Sequence, residues 1–135
     1  MQKYRFLDHI GEVEFNAYGK DEKEAIENAF CAIRDTMFKK TRIKPNKKIV
    51  IKQNGYDKND TIWKFLEKII EIIYTKRIFP IKLKIRELRD NYIEGLLFYV
   101  EDVSYQIDEI KAIAPSNLFI KKKNNRYVLH VIADV

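Results

Sequence analysis

The strongest constraint on the fold of this chain is a pair of apolar stripes at helical spacing, separated by segments in which apolar and polar residues alternate. The first stripe comprises Ile26, Ala29, Phe30, Ile33 and Met37, and the second comprises Ile62, Leu66, Ile69, Ile70 and Ile73. Side chains three and four positions apart lie on the same face of a helix. Both segments are therefore predicted to be helices that bury one face in the core.

Capping residues indicate where the two helices begin. Asp21 lies three residues before Glu24, which is the spacing of an N-terminal capping box, so the first helix is predicted to begin there. For the second helix, either Asp60 or Thr61 can supply the capping oxygen.

Alternating segments predict the strands. Val13, Phe15 and Ala17 alternate with polar residues up to Gly19, which predicts a half-buried strand. Further strands are predicted at 49–51, 81–88, 92–100, 107–113, 119–120 and 127–133, with turns at 89–91 and 123–125; Pro80 closes the linker after the second helix. The chain is therefore predicted to be an α+β protein, with two helices covering one face of a largely antiparallel sheet.

Length and cysteine content limit the class of protein. A chain of 135 residues with 46% hydrophobic residues is predicted to form one domain over residues 1–135. The single cysteine, Cys31, excludes an intramolecular disulfide and indicates packing in a reducing compartment. Since neither a secretion signal nor an apolar stretch of membrane-spanning length is found, the expected location is the cytoplasm, without membrane attachment.

Basic residues give the chain a net charge of +6 and favour acidic partners. They concentrate in segments 39–48, 82–89 and 121–126. In the second segment they alternate with Ile81, Leu83 and Ile85, as in a strand with one solvated face. Solvation explains this pattern adequately. Contact with RNA is the minority interpretation, because the aromatic platform motif of RNA-binding sheets is absent from the sequence.

Conventional enzyme signatures are missing. The sequence has no phosphate-binding loop, dinucleotide fingerprint, serine nucleophile elbow or paired cysteines for zinc. Because the sequence contains only two histidines, it offers few groups for acid–base catalysis. His9 lies near Asp8 and Glu12, whose carboxylates could orient its ring, whereas no role is assigned to His130.

Acidic groups lie near both ends of the sequence. Asp8 and Glu12 accompany the first strand, and Asp134 and the α-carboxylate of Val135 follow the last one. If these ends meet, three or four carboxylates converge and require a hard cation or a lysine, for which Lys111 is the candidate. Calcium is the favoured cation, since irregular oxygen donors suit its flexible coordination. The alternative is that these acids are simply solvated.

Three segments resemble the archease family. Residues 6–9 read Phe-Leu-Asp-His, Glu12 follows at the spacing of the family's D-H-x-x-D motif, and Gly19, Glu24 and Ala25 continue its pattern. Residues 109–113 are similar to the family's E-V-K-A-I segment, and residues 132–135 to its closing segment. Two departures are Glu12, which is one methylene longer than the usual Asp, and residues 114–116, which read Ala-Pro-Ser instead of Thr-Tyr-His.

The resemblance implies a fold and a metal site. The expected fold is a strand-helix-strand-strand module carrying an inserted helix and strands, with both chain ends together on the sheet. The family's metal ligands map onto Glu12, Asp134 and Val135. Asp8, His9 and Lys111 are expected as supporting functional residues around them.

The resemblance also implies a function. Archeases are non-catalytic accessory proteins of the RtcB-type tRNA-splicing ligase, promoting its guanylylation and its multiple turnover. The expected partner is therefore that ligase, with tRNA contacted indirectly through it. The alternative is a chaperone-like or RNA-binding module that assists a tRNA-modifying enzyme such as a tRNA methyltransferase.

Overall fold

The computed structural model describes residues 2–7 and 10–135. Its helices and strands, in chain order, are β1 (Tyr4–Leu7), β2 (Glu12–Gly19), α1 (Glu22–Met37), β3 (Lys47–Asn54), α2 (Lys58–Lys76), β4 (Phe79–Arg89), β5 (Tyr92–Val100), β6 (Ala112–Ile113), β7 (Phe119–Lys123) and β8 (Arg126–Asp134). A short 3₁₀ turn spans Pro115–Asn117. Every strand pair is antiparallel.

The strands divide between two sheets. In the first, β8 is central: β2 pairs along one edge and β1 pairs with β2, while β6 and β7 follow one another along the other edge of β8. The second sheet has the order β3-β5-β4. Helix α1 packs on β2 and β8 and reaches β4, whereas α2 packs on β3 and β5 and reaches β6. The predicted α+β fold, with two helices on antiparallel strands, is confirmed.

Helix α1 begins where its capping residues predict. The Asp21 Oδ1 atom accepts a hydrogen bond from the Glu24 backbone N–H at 2.8 Å, and Glu24 Oε1 accepts one from the Lys20 N–H at 2.9 Å. The first bond satisfies a donor that the first turn of a helix leaves without a partner, and the second ties the residue before the cap to that turn. All five residues of the predicted apolar stripe are at most 1% exposed.

Helix α2 begins earlier than predicted, because Asp57 caps it instead of Asp60 or Thr61. The Asp57 side chain accepts a hydrogen bond from the Asp60 N–H at 2.8 Å. Thr61 is buried inside the helix, where its hydroxyl lies 2.7 Å from the Asp57 carbonyl and 3.0 Å from the Asp90 carbonyl. The Asp60 carboxylate accepts from the Tyr56 N–H, which lowers the pKa of Asp60.

Side chains of α1 cover the outer edge of β4. Arg34 Nη1 donates to the Ile81 carbonyl at 2.7 Å, and Glu27 Oε2 accepts from the Ile85 N–H at 2.8 Å. An edge strand otherwise presents unpaired backbone groups that can recruit another chain. These contacts therefore close one edge of the second sheet and fix α1 between the two sheets.

Two predictions about strand ends are wrong. In the segment predicted as a strand over 107–113, only Ala112–Ile113 pairs, because the Ile107 and Asp108 N–H groups donate to the Met37 carbonyl at the end of α1. Pro80 does not close a linker but lies inside β4, next to a break in register. A proline is tolerated there because it lies on an edge strand beside a bulge.

Candidate functional site

Glu12 and Asp134 lie opposite one another at one end of the first sheet. Glu12 opens β2, Asp134 closes β8, and their Cα atoms are register partners. Directly opposed residues of an antiparallel pair place their side chains on the same face, with Cβ atoms about 4.5–5.5 Å apart. Both residues are exposed. The fold therefore brings together two carboxylates that are more than a hundred positions apart in the sequence.

Val135 and Lys111 flank this pair. The Val135 side chain packs against the core, which holds the main chain after Asp134 close to the sheet. The Lys111 N–H donates to the Asp134 carbonyl at 2.7 Å, and Lys111 itself is exposed. Lys111 thus lies beside β8 at the same end of the sheet as the two acids.

Helix α2 holds the segment that carries Lys111. Trp63 Nε1 donates to the Ile113 carbonyl at 2.7 Å, and the Ile113 N–H donates to Glu67 Oε1 at 3.3 Å. The Tyr74 hydroxyl donates to the Ile110 carbonyl and accepts from the Ile110 N–H, both at 3.0 Å. Burial raises the pKa of the Glu67 carboxyl and that of the Tyr74 hydroxyl. This side of the acidic end is therefore fixed by a helix.

The predicted supporting residues Asp8 and His9 lie outside the described residues. On one side of them, β1 ends at Leu7, which is the register partner of Glu14 on β2. On the other side, Gly11 has φ of 78°, a left-handed conformation that suits glycine.

The side chains of the described residues do not by themselves form a metal-binding cluster. Within the ranges 2–7 and 10–135, no group of three His, Cys, Asp or Glu side chains is arranged to hold a metal ion. Glu12 and Asp134 offer two carboxylates, and the α-carboxylate of Val135 is the third oxygen donor that the sequence predicts. An all-oxygen donor set of this kind matches the chemistry of Ca²⁺ or Mg²⁺.

His130, for which the sequence predicts no role, lies in the middle of the same sheet face. Its Nε2 atom is 2.6 Å from Glu14 Oε2, its Nδ1 atom is 2.8 Å from the Asn117 carbonyl oxygen, and its ring stacks on Phe119. The only sequence signal for this placement is that His130 shares with Asp134 the even-numbered face of β8. Neither Glu14 nor Asn117 is close enough in sequence to reveal the contact.

A pocket of about 390 Å³ lies beside α1, away from the acidic end. The Cys31 thiol and Arg34 line it, together with Tyr4 and Asp35, whose side chains are hydrogen-bonded to each other. Burial raises the pKa of Cys31, so the thiol remains protonated and agrees with the packing role expected for it.

Comparison with known proteins identifies the class. The fold is an α+β arrangement shared with two solved structures: protein 1598 of Methanobacterium thermoautotrophicum, with a TM-score of 0.82, 24% identity and full coverage of both chains, and an archease described as a possible chaperone from Thermotoga maritima, with a TM-score of 0.68, 13% identity and coverage of 96% of this chain and 94% of the other.

Sequence relatives agree with the structural comparison. Residues 4–135 match the model of the Archease protein family. Proteins named archease from Sulfurisphaera tokodaii and Saccharolobus islandicus are 24% and 26% identical, and each match covers all of both chains. The archease of Archaeoglobus fulgidus is 25% identical over 98% of this chain and 99% of its own.

The chain belongs to the archease family. The resemblance carried by residues 6–25, 109–113 and 132–135 is thus confirmed. No helix among the described residues combines the length and the apolar character needed to cross a membrane.

Proposed function

We propose that this protein is a non-catalytic activator of an RtcB-type tRNA-splicing ligase in the cytoplasm, promoting guanylylation of the ligase and its multiple turnover. Membership of the archease family supports the proposal. The observation that carries it is the register pairing of Glu12 with Asp134 at an exposed end of the sheet, where a partner protein can reach both carboxylates.

We further propose that Glu12, Asp134 and the α-carboxylate of Val135 bind one divalent cation, with calcium favoured over magnesium. A bound cation would neutralise acids that otherwise repel one another and would provide a Lewis acid for phosphate oxygens. Asp8, His9 and Lys111 are proposed as neighbouring functional residues. Lys111 is supported in this role by the hydrogen bond from its backbone N–H to the carbonyl of Asp134.

The chain's own contribution to activation is proposed to be the presentation of this acidic end. β8 is supported on one edge by β2 and on the other by β6, and α2 fixes β6 itself through Trp63 and the segment before it through Tyr74. With this support, the acidic end is expected to enter the nucleotide-containing region of the ligase without rearranging. Carboxylates held in place contribute electrostatic interactions without the cost of ordering them at the moment of contact.

The test is a guanylylation assay with the cognate ligase, GTP and purified protein. The labelled fraction of ligase is expected to rise with the native chain and to stay near the ligase-only level with Asp134→Asn. Asp90→Asn is the matched control, because Asp90 is an acid with an 86% exposed side chain in the turn between β4 and β5. This control should activate as the native chain does.

Two results would reject the proposal. One is equal labelling of the ligase with and without the native chain. The other is full activation by Asp134→Asn in a preparation whose thermal unfolding matches that of the native chain, since the acidic end would then have no part in the effect.

A second candidate function is a chaperone-like or RNA-binding module assisting a tRNA-modifying enzyme such as a tRNA methyltransferase. It is favoured by one observation: Lys82, Lys84 and Arg86 are exposed in alternate positions along β4. If these cations carry the activity, RNA affinity should fall steeply with added salt, and charge reversal at the three positions should abolish it. Unchanged affinity after charge reversal would reject this candidate.

A further inference from the structure

A second surface on the first sheet combines aromatic rings with positive charge. It is a groove of about 280 Å³ on the face of the sheet that carries Glu12 and Asp134, but at the opposite end of β8. Its lining residues come from β2, β7, β8 and the turn joining the last two strands: Asn16, Tyr18, Phe119, Lys121, Lys123, Asn124, Arg126, Val128 and His130. Arg126 lies eight positions from Asp134 on β8, which is about 26 Å along an extended strand.

Aromatic rings form the floor of this groove. Phe119 is 37% exposed and stacks on His130, with ring centroids 5.0 Å apart and an angle of 21° between the ring planes. Since both nitrogens of His130 are engaged, by Glu14 and by the Asn117 carbonyl, its ring is held in one orientation. Phe119 therefore rests on a fixed support and presents an exposed aromatic surface.

Cations are interleaved with these rings. Lys121 Nζ lies 5.2 Å from the centroid of Phe119, and Arg126 Cζ lies 4.0 Å from the centroid of Tyr18. Among the described residues, no carboxylate side chain lines the groove. The groove is therefore positively charged, and the exposed part of Phe119 lies beside these cations.

The hairpin between β7 and β8 adds a repulsion that an anion would relieve. Asn124 and Asn125 both have positive φ, 54° and 62°, as in a two-residue type I′ turn. The turn makes Lys123 and Arg126 register partners. Like charges placed directly opposite in a strand pair are destabilising, so a bound anion would stabilise this position.

We propose that this groove binds single-stranded nucleic acid, with a base stacked on Phe119 and backbone phosphates at Lys121, Lys123 and Arg126. A cationic groove with aromatic stacking surfaces is the arrangement by which proteins bind single strands without reading sequence. Asn16 and Asn124 supply amides that can donate to or accept from a base edge. An acidic peptide would use the cations alone and leave the rings without a role.

The basic face of β4 is less suited to this ligand. Its two arginines are accompanied by carboxylates: Arg89 Nε lies 2.7 Å from Glu87 Oε2, and Arg86 Nη1 lies 4.0 Å from Glu94 Oε2. The proposed binding surface is therefore at the hairpin of the first sheet. It does not depend on the proposed ligase activation, because neither Glu12 nor Asp134 lines the groove, whose nearest residue on β8, His130, is four positions from Asp134.

The test is fluorescence anisotropy with a labelled ten-nucleotide single strand, as RNA and as DNA of the same sequence, over a range of salt concentrations. Phe119→Leu should weaken binding on the order of tenfold or more, because it removes the stacking surface while retaining an apolar side chain. Lys123→Gln should weaken binding and reduce the slope of log K against log salt concentration by about 0.7, the value for one phosphate contact on a single strand. Lys76→Gln, the same change at an exposed lysine in the last turn of α2, is the matched control and should bind as the native chain does. The RNA and DNA arms tell which sugar the groove accepts.

Three results would overturn the proposal. One is an affinity of Phe119→Leu for the single strand equal to that of the native chain. Another is an equal loss in Lys123→Gln and Lys76→Gln, which would indicate general attraction to the positive chain. The third is equal competition by polyglutamate at the same charge concentration, which would make the groove a general polyanion surface. Unfolding curves of each variant show whether a loss of binding reflects a loss of fold. The fold is expected to be retained, since Phe119 and both lysines are exposed.

Discussion

Replacing Tyr74 by phenylalanine tests how firmly α2 holds the acidic end of the sheet. The change removes one hydroxyl and, with it, one hydrogen bond to the Ile110 carbonyl and one from the Ile110 N–H. Ile110 is fully buried. The substitution thus leaves two backbone groups of a buried residue without their partner.

The expected cost follows from these two bonds. A buried polar group without a partner costs about 1–3 kcal/mol. Tyr74 is 38% exposed, so water can approach and the lower end applies, giving roughly 1–2 kcal/mol for both groups together. With an unfolding entropy of about 2.1 cal/mol/K per residue over 135 residues, the midpoint should fall by about 4–7 °C.

Two assays measure this effect. Thermal unfolding followed by circular dichroism gives the global change, with Tyr56→Phe as the matched control, because Tyr56 is 90% exposed. Amide hydrogen exchange gives the local change: the Lys111 N–H, which donates to the Asp134 carbonyl, should exchange faster in Tyr74→Phe than in the native chain. An unfolding midpoint equal to that of Tyr56→Phe, together with unchanged exchange at Lys111, would refute the conclusion that α2 fixes this segment.

Three further changes have defined outcomes. Glu67→Gln keeps an oxygen for the Ile113 N–H but removes the charge. Burial raises the folded-state pKa of Glu67, so the native chain should lose stability relative to the variant as pH rises from the ordinary glutamate pKa through the raised pKa of Glu67. The measurement is the difference in unfolding midpoint between the two chains at each pH. Gly95→Ala should destabilise by about 1–3 kcal/mol in urea titrations, since its Cβ would lie 2.8 Å from Phe65 Cζ. Asp57→Ala should cost about 1 kcal/mol in the same assay through loss of the α2 cap, and an unchanged midpoint would contradict that assignment.

Local sequence signals predicted α1 better than α2. For α1, Asp21 and Glu24 act within one turn, so the capping pattern and the helix start coincide. For α2, three residues of suitable chemistry lie close together, and the choice among them depends on Thr61 bonding the Asp90 carbonyl from inside the helix. That contact joins positions 29 apart, which a local pattern does not contain.

Long-range backbone contacts explain the wrong strand over 107–113 and the division into two sheets. Ile110 and Ile113 are both buried although their spacing of three does not fit strand alternation, and the N–H of Ile107 bonds to Met37 and that of Ile110 to Tyr74. Hydrophobic alternation reports which side of a segment is buried and not which groups satisfy its backbone. The same limit applies to sheet membership, because it depends on pairing between distant strands.

The candidate site was partly accessible from sequence. Acids near both ends of the sequence predict that Glu12 and Asp134 lie close together, and the structure makes them register partners. The groove at the other end of β8 was missed, because the orientation of His130 depends on Glu14, which is 116 positions away. Its aromatic and basic residues come from three strands and form no linear motif.

Calcium-dependent thermal stability is the most direct test of the proposed cation site. A ligand that binds the folded state alone stabilises it by about 2.7 kcal/mol at one hundred times its dissociation constant. For a chain of 135 residues this corresponds to a midpoint rise of about 10 °C. The native chain and Asp90→Asn should show this rise as calcium is added, and Asp134→Asn should lose most of it. An equal rise in Asp134→Asn, or no rise in the native chain, would contradict a cation bound by Glu12 and Asp134.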